Sequence, residues 1–521
     1  MSLARNFLTV GSNTMASRVL GFVRELLIAA ALGAGPVADA FYAAFRFPNL
    51  FRRVLAEGAF NSAFIPLFSR ALEEEGEDGA RRFASQVLAA LFVILLILTA
   101  LVELAAPFFV ATLIAPGFAD DPDKFALTTL LSRVMFPYLA CMSLVAMLSG
   151  ILNALHHYAV AAFAPVLLNI ILICVLAAAL QFELPAQQIG LVMGWGVFAA
   201  GLAQLLLLWI AVRKADFSLS LRWPVMSPNV RRLLALAAPA AIAGGIVQIN
   251  LFIGQIIASQ KDGAIAVLQY ADRIYQLPLG VVGIAIGVVL LPELSRALKG
   301  GDLQRAGDYQ NRSLAFALFL TLPAAAALMV ISEPVVRLLF ERGEFSVETT
   351  RVTARALTFF APGLPAFVLV KVFSPGFFAR EDTRTPMRIA GLTMLVNVTL
   401  SLILFPTMAE AGIALATTIA GWVNALALFG LLLHKGFWPV ERTVYRQIGL
   451  MFAAAAAMAV ALYALFGLVA SMTQPASGLA AQLAALLLLV GGGGIFYFVL
   501  TQLTGAADLR ALARQVARRP Q

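Results

Sequence analysis

The chain has 521 residues, of which 61% are hydrophobic and only 12% are charged, and its formal net charge is +9. In soluble domains about a quarter of the residues are charged, so this composition, with a mean hydropathy of +0.90, excludes a soluble globular protein. At roughly 20 apolar residues per span, the length accommodates about twelve to fifteen transmembrane helices. Continuous apolar runs such as 87–104 are helical spans rather than barrel strands.

Hydropathy, together with the Gly, Pro and charged residues between apolar runs, predicts fourteen transmembrane spans, numbered 1 to 14 in chain order. They cover residues 6–32, 38–69, 84–114, 125–154, 160–182, 189–212, 233–259, 265–294, 314–336, 352–378, 389–406, 411–433, 447–469 and 479–505. This topology places 23 of the 37 basic residues in inner segments and 5 in outer loops. Because cytoplasmic loops are enriched in Lys and Arg, both termini are predicted to be cytoplasmic.

The cysteines and histidines point to no chemistry of their own. Cys141 and Cys174 lie inside apolar runs, and the three histidines, His156, His157 and His434, lie at helix ends. None of them has the spacing of a metal site. The sequence therefore predicts no disulfide, no metal site and no catalytic residue. The net positive charge is explained by membrane topology, so no nucleic-acid partner is expected.

The sequence contains an internal duplication. Residues 66–72 and 292–298 match at an offset of 226. Spans 1–6 and 7–12 are thus predicted to be two copies of a six-helix unit with the same orientation, plus two extra helices. The predicted domains are an N-terminal lobe (1–230), a C-terminal lobe (231–440) and a segment with spans 13 and 14 and a basic tail (441–521). Parallel repeats of this kind are typical of transporters that alternate access to a central cavity by rocking of the lobes.

Nine basic residues fall inside predicted spans: Arg18, Arg24, Arg46, Arg52, Arg53, Arg133, Arg273, Arg355 and Lys371. An arginine facing lipid at the bilayer centre costs about 2.5–3.5 kcal/mol, so these side chains must face water, protein or an anion. Arg18 and Arg24 lie about 120° apart on an ideal helix. Asp39 is interpreted as a counter-ion to an arginine, and Arg53 is spaced to pair with Glu57. Clustered guanidinium groups bind phosphate oxygens, which indicates a phosphate-bearing amphiphile as substrate.

Several motifs resemble the MurJ (MviN) family, the lipid II flippases of bacterial peptidoglycan synthesis in the MOP exporter superfamily. They lie at residues 17–24, 38–41, 47–53, 56–60, 115–118, 270–273 and 375–380. The resemblance covers spans 1–12, whereas spans 13 and 14 match in position and hydropathy. It implies a flippase that moves lipid II from the cytoplasmic to the periplasmic leaflet of the inner membrane.

The resemblance also implies roles for particular residues. Arg18, Arg24 and Arg273 are expected to face the central cavity and bind the diphosphate of lipid II, with Arg52 nearby. Spans 13 and 14 are expected to form a groove for the undecaprenyl tail. The expected gate or supporting residues are Ser17, Asp39, Asn49, Arg53 and Glu57. The chain is expected to act as a monomer among membrane lipids, with cell-wall synthesis proteins as possible partners.

No cofactor is expected. Some family members bind sodium through carboxylate and amide ligands, but spans 7, 11 and 12 supply only Asn250, Asn397, Thr417 and Asn424, so no sodium site is expected. With the cytoplasm negative, each negative charge moved outward gains roughly 2.3 kcal/mol per 100 mV. Membrane potential is therefore the expected driving force.

Two alternatives remain open at the level of the sequence. One is another MOP-type exporter, such as a drug/cation antiporter or a polysaccharide-unit flippase; a cation antiporter would need acidic residues where this chain has arginines. The other is a membrane enzyme acting on polyprenyl phosphates, which needs a metal or a carboxylate base. The adjacent aspartates, Asp120 and Asp121, lie in a predicted outer loop, which favours a transporter over an enzyme.

Overall fold

The computed structural model describes residues 3–54, 60–221, 223 and 225–506. Within these ranges the chain is helical and contains no strand. The helices are α1 Leu3–Leu32, α2 Pro36–Phe51, α3 Asn61–Phe109, α4 Pro122–Met135, α5 Tyr138–Ala154, α6 Tyr158–Gln181, α7 Ala186–Lys214, α8 Pro228–Ala258, α9 Ala264–Lys299, α10 Leu303–Val330, α11 Ser332–Phe340, α12 Val347–Phe360, α13 Gly363–Phe378, α14 Arg384–Met408, α15 Glu410–His434, α16 Arg442–Val469 and α17 Gly478–Leu503.

Each of the fourteen predicted spans coincides with a helix, and four of them are interrupted. Proline explains three interruptions, because it has no amide hydrogen and its ring clashes with the preceding turn. Span 4 divides into α4 and α5 at Pro137, and span 10 divides into α12 and α13 at Pro362. Span 9 divides into α10 and α11 just before Pro334. Span 2 leaves α2 at Phe51, is π-helical at residues 52–54, and is helical again in α3 beyond the residues that the structure does not describe.

The number of crossings is compatible with fourteen. In the described part of the chain, ten helical segments are long and apolar enough to cross a membrane, and they correspond to predicted spans 3–6 and 9–14. The other four spans are helical as well. The first of them, α1, carries Arg18, Arg24 and Glu25 within one stretch, and α2 has 16 residues.

The described residues form two compact units. Unit 1 contains residues 1–266 and 342–345, and unit 2 contains 267–341 and 346–521. The α8 helix belongs to unit 1, where buried Gln255 donates to the carbonyl of Ile114 at 2.8 Å. The predicted lobe boundary at residue 230 separates the two copies of the duplicated sequence, which is a different division from that into compact units. It stays a prediction.

The order of neighbouring helices supports the duplication. In unit 1, α3 packs on α5, α5 on α7, and α6 on α7. In unit 2, α10 packs on α13, α13 on α15, and α14 on α15. These are the same three pairings of the third to sixth spans in each predicted copy. The two units therefore repeat one packing scheme.

The two extra helices pack within unit 2. Helix α16 contacts α10 and α17. A Cβ on Gly493 would lie 2.8 Å from a Leu462 methyl group, so α17 approaches α16 closely at a small residue. The rings of Tyr497 and Phe498 pack on Phe319 of α10. Spans 13 and 14 are thus an appendage to one repeat unit.

Candidate functional site: charged clusters of unit 1

The two cations of α1 occupy different environments. Arg18 is exposed, and it forms no hydrogen bond or ion pair with any residue that the structure describes. Arg24 is 8% exposed. This difference follows from the 120° that separates them on an ideal helix. One arginine is therefore available to a ligand, whereas the other is held by the protein.

Arg24 is the centre of a buried polar network. Its Nη1 donates to Oδ1 of Asn169 at 2.9 Å, and its Nη2 pairs with Oε1 of Glu25 at 3.0 Å. The hydroxyl of Tyr42 donates to the other Glu25 oxygen at 2.6 Å. Asn169 in turn donates to the carbonyl of Ser17 at 3.0 Å. The network joins α1, α2 and α6 and neutralises the Arg24 charge inside the protein.

Three members of this network were not among the predicted site residues. Glu25 is 1% exposed and is the direct counter-ion of Arg24. Its position next to Arg24 in an otherwise apolar helix is the signal that could have identified it, because a buried carboxylate requires a partner. Asn169 is 145 residues from Arg24 and Tyr42 is 17 from Glu25. No local pattern indicates the contact with Asn169.

The predicted cations at the end of α2 form a second cluster. Arg52 Nε donates to Oδ1 of Asn49 at 3.0 Å, and Asn49 Nδ2 donates to the carbonyl of Phe45 at 3.1 Å. Arg53 is exposed. Glu57, its predicted partner, lies outside the described residues, so the predicted pairing remains a prediction. The structure thus joins Arg52, which is expected near the diphosphate, to Asn49, which is expected to support the gate or the site.

Asp39 pairs with a lysine, which corrects its interpretation as a counter-ion to an arginine. Lys124 Nζ of α4 lies 2.9 Å from Asp39 Oδ2, and the two side chains are 1% and 0% exposed. Asp39 also accepts the amide hydrogens of Gly263 at 2.7 Å and Ala266 at 3.0 Å. The carboxylate therefore caps the N-terminus of α9, where helix dipoles favour a negative charge.

Lys124 completes what we call the Asp39 cluster, formed by Asp39, Lys124, Asp262, Gly263 and Ala266. Its ammonium lies 2.7 Å from Oδ1 of Asp262, which is 74% exposed, and 4.0 Å from the centroid of the Phe118 ring. The sequence counted Lys124 only as a basic residue of an outer loop. Its partner Asp39 is 85 residues away, so the pairing had no local signal.

Backbone contacts close this side of unit 1 around the Asp39 cluster. Gly263 has a φ of 77°, and a Cβ there would lie 2.5 Å from the carbonyl oxygen of Ala34. A Cβ on Gly117 would lie 2.4 Å from the carbonyl oxygen of Ser259. The amide of Glu344 donates to the carbonyl of Ala30 at 2.9 Å. Four turns that the topology predicts to be outer loops therefore lie together on one side of this unit.

Unit 2 contains the remaining predicted residues. Arg273 is half-buried in α9, one residue from Asp272, which accepts a hydrogen bond from Gln276. Asn397 of α14 accepts a hydrogen bond from Thr417 of α15 at 3.4 Å, and Thr417 also donates to the carbonyl of Ile413. Among the residues described in both units, no three His, Cys, Asp or Glu side chains are grouped to hold a metal ion.

A chain of many apolar helices, built from a repeated packing scheme and carrying charge clusters within its helices, is typical of multi-pass membrane transporters. The sequence model described as "Lipid II flippase MurJ" matches residues 28–482. The chain therefore belongs to the MurJ family, as its motifs predicted.

Curated relatives match over almost the full length. The chain is 56% identical to "Probable lipid II flippase MurJ" of Rhizobium meliloti (strain 1021), over 99% of this chain and 97% of the relative. It is 35% identical to "Lipid II flippase MurJ" of Burkholderia cenocepacia, over 84% of this chain and 85% of the relative.

Solved structures show the same fold. The structure titled "Lipid II flippase MurJ, inward closed conformation" aligns with a TM-score of 0.79 at 24% identity and covers 98% of this chain and 100% of that chain. An inward-facing multidrug-resistance MATE family transporter of the MOP superfamily aligns with a TM-score of 0.66 at 15% identity, covering 81% of this chain and 95% of that one. The fold is thus shared between MurJ and MATE transporters, whereas the sequence places the chain with MurJ.

Proposed function

We propose that this protein moves lipid II from the cytoplasmic to the periplasmic leaflet of the bacterial inner membrane by alternating access. The family match over residues 28–482 and the names of the curated relatives support this substrate. The observation that carries the proposal is Arg18, an exposed cation within α1 that has no partner among the described residues. A cation in such a helix needs an anion or water to lower its cost.

The diphosphate of lipid II supplies the anion in this proposal. Guanidinium groups bind phosphate oxygens in a bidentate manner, and charge-assisted hydrogen bonds are stronger than neutral ones. Arg18 is the first contact because nothing has to be displaced from it. Arg24, Arg52 and Arg273 are the further cations that we assign to the diphosphate.

Arg24 requires an exchange of partners. In the structure its Nη2 is paired with Glu25 at 3.0 Å. A diphosphate carrying about two negative charges competes with this single carboxylate for the guanidinium. Tyr42 already donates a hydrogen bond to Glu25, so the carboxylate retains one partner when Arg24 turns to the substrate. The proposed role of Glu25 is to lower the cost of the buried arginine between transport cycles.

The Asp39 cluster is the proposed outer gate. It ties α2 and α4 to the start of α9 through one buried ion pair and two backbone amides. Breaking a buried ion pair costs about 3–5 kcal/mol when one charge is left unpaired, so this closed arrangement opens only when another interaction offsets that cost. Binding of the substrate anion is the proposed source of that free energy.

Membrane potential is the proposed driving force. Moving a diphosphate of about two charges outward gains roughly 4–5 kcal/mol at 100 mV with the cytoplasm negative. The arginines lower the cost of the anion within the bilayer. The absence of a sodium site and action as a monomer remain predictions.

The proposal is tested in a strain depleted of its own flippase, with this chain expressed at native level. We expect Arg18→Ala to abolish growth and delivery of lipid II to the outer leaflet while the protein still inserts. The matched control is Arg70→Ala, because Arg70 is exposed and paired with Glu74 at the surface. Normal growth of the Arg18→Ala strain would contradict the diphosphate assignment.

A second measurement addresses the driving force. Lipid II delivery is followed before and after a potassium ionophore collapses the membrane potential at constant pH gradient. We expect delivery to stop. Unchanged delivery would exclude membrane potential as the driving force. The substrate assignment would still be tested by the growth assay.

A further inference from the structure

An apolar groove of about 470 Å³ lies on unit 1 between α3, α5 and α7. Its walls include Leu88 and Phe92 of α3, Leu148 of α5, and Leu206 and Trp209 of α7. These side chains are hydrocarbon except for the indole N–H of Trp209. The groove is separate from the Arg24 network and the Asp39 cluster, and neither the family match nor the relatives' names assign it a ligand.

One end of the groove is bounded by the loop that joins α7 to α8, and Leu221 of this loop is part of the lining. Three hydrogen bonds hold the loop against the turns of α3 that precede Leu88. They are Arg81 Nη2 to the carbonyl of Asp216 at 2.7 Å, the amide of Ser220 to Ser85 Oγ at 3.2 Å, and Ser227 Oγ to Gln86 Oε1 at 2.8 Å. These three loop residues are therefore held against α3 at this end of the groove.

Positive charge lies at this same end. The guanidinium carbon of Arg213 is 5.6 Å from the ring centroid of Trp209, which lines the groove. Lys214 follows it, and both are exposed in the last turn of α7. Trp223 in the loop is 89% exposed, as is typical of aromatic side chains at a membrane interface. An apolar channel that ends at two cations matches the two ends of an anionic amphiphile.

We propose that this groove binds one anionic phospholipid of the inner leaflet, with an acyl chain along α3 and α7 and the headgroup phosphate at Arg213 and Lys214. An acyl chain gains little by leaving a bilayer for an equally apolar groove. The groove therefore orients the chain, and the two cations select the headgroup. The topology that predicts the α7–α8 loop to be cytoplasmic places this site at the leaflet where anionic lipids meet basic loops.

The test uses native mass spectrometry of the purified full-length chain with equal amounts of phosphatidylglycerol and phosphatidylcholine that carry identical acyl chains. We expect phosphatidylglycerol to be preferred by about tenfold or more, given two basic residues near the headgroup. The double variant Arg213→Gln/Lys214→Gln should reduce this ratio to near one. The control, Arg442→Gln/Arg446→Gln, removes two exposed cations from the start of α16 in unit 2 and should leave the ratio unchanged.

A second pair of variants tests the groove itself. Leu206→Trp places a larger ring in the groove and should reduce the binding of both lipids, whereas Leu426→Trp, at an equally exposed position of α15 outside the groove, should not. Arg213→Lys keeps the charge and should retain the preference for phosphatidylglycerol, which separates loss of charge from loss of folding.

Two outcomes would overturn the proposal. One is a preference for phosphatidylglycerol that persists in Arg213→Gln/Lys214→Gln. The other is displacement of the bound phospholipid by an equal amount of undecaprenyl phosphate, which would assign the groove to a prenyl chain. Neither outcome depends on lipid II transport, so the proposed function is tested separately.

Discussion

Lys124 and Asp39 form an ion pair of 2.9 Å that is closed off from solvent, between α4 and α2. The Asp39 carboxylate also accepts two amide hydrogens at the start of α9, from Gly263 through Oδ2 and from Ala266 through Oδ1. A single carboxylate thus links three helices of unit 1. Loss of the Asp39 carboxylate should weaken the contacts among all three helices, because a buried carboxylate and a buried ammonium each require a partner.

We expect Asp39→Asn to destabilise the closed side of unit 1 by about 3–5 kcal/mol, because Lys124 keeps only exposed Asp262 as a counter-ion. The double variant Asp39→Asn/Lys124→Met should lose less stability than the sum of the losses of the two single variants. The coupling is measured by a double-mutant cycle on thermal unfolding. A second readout is the labelling of a Phe118→Cys reporter in a chain that lacks Cys141 and Cys174, which reports opening of this side of unit 1. Asp262→Asn is the control, and because this side chain is 74% exposed its effect should stay below about 1 kcal/mol. Additive single and double variants would contradict the coupling.

Gly263 tests the backbone contact at the same place. Its φ is 77°, and an added Cβ would meet the Ala34 carbonyl oxygen at 2.5 Å. Gly301 has a similar φ of 72° but no atom within 4 Å of an added Cβ. Both Gly→Ala changes carry the strain of a positive φ, so their difference isolates the close approach.

We therefore expect Gly263→Ala to lower growth complementation and to increase labelling of the Phe118→Cys reporter, while Gly301→Ala leaves both near the level of the unchanged chain. Equal effects of the two substitutions would show that φ strain alone matters at residue 263.

Substitution of the two arginines of α1 should change the unfolding free energy by different amounts, although both residues are assigned to the substrate. Arg18→Ala removes an exposed cation that has no partner in the described part of the chain and should change the unfolding free energy by less than about 0.5 kcal/mol. Arg24→Ala removes the ion pair with buried Glu25 and should cost about 3–5 kcal/mol. Thermal unfolding of each purified variant distinguishes the two.

A restoring variant checks the reason given for Arg24. Glu25→Gln added to Arg24→Ala removes the carboxylate charge that Arg24 neutralised and should recover a large part of the lost stability without restoring transport. No recovery in the double variant would show that Glu25 is not the source of the cost.

The turn between α13 and α14 carries a pH-dependent contact. Hydrogen bonds from the hydroxyl and amide of Thr385, together with Lys435, lower the pKa of Asp382 from 3.8 to about 2. A lowered pKa means that the folded chain favours the charged carboxylate. Its contribution to stability is therefore present above pH 3.8 and declines as the pH falls toward 2.

The expected result is a small difference in unfolding temperature between the unchanged chain and Asp382→Asn that is constant from pH 7 to pH 5 and shrinks below pH 4. The contact is at the surface, so its contribution should be below about 1 kcal/mol. Thermal unfolding across this pH series measures it, and a difference that grows on acidification would contradict the sign.

The helices were largely predictable because hydropathy and proline act locally. All fourteen predicted spans coincide with helices, and the interruptions at Pro137 and Pro362 follow from a missing amide hydrogen. The pairing of Asn49 with Arg52 was also accessible, since residues three apart on a helix are neighbours. Within α3 the backbone is non-helical at Gly76, where φ is 68°, and this kink lies in the loop predicted between spans 2 and 3.

The partners of the charged residues were less predictable. The sequence identified Arg24 and Asp39 as unusual because an ionised side chain in an apolar span has a high desolvation cost. It interpreted Asp39 as the counter-ion of an arginine, whereas the structure pairs Asp39 with Lys124. It did not identify Glu25 as the partner of Arg24, and the proposed contact of Arg24 with a ligand stays a prediction. Asn169 and Lys124 come from helices distant in the chain, so their contacts depend on packing.

The sequence by itself determined that this is a helical multi-pass membrane protein of the MurJ family with a duplicated helix unit and cations inside its spans. These properties follow from hydropathy, periodic repetition and motif identity, which are all read along the chain. Only the tertiary structure decided which charges are neutralised within the protein and which, like Arg18, remain exposed. The reason is that an ion pair depends on a separation of about 3 Å between side chains, and packing alone brings residues 85 or 145 positions apart to that distance.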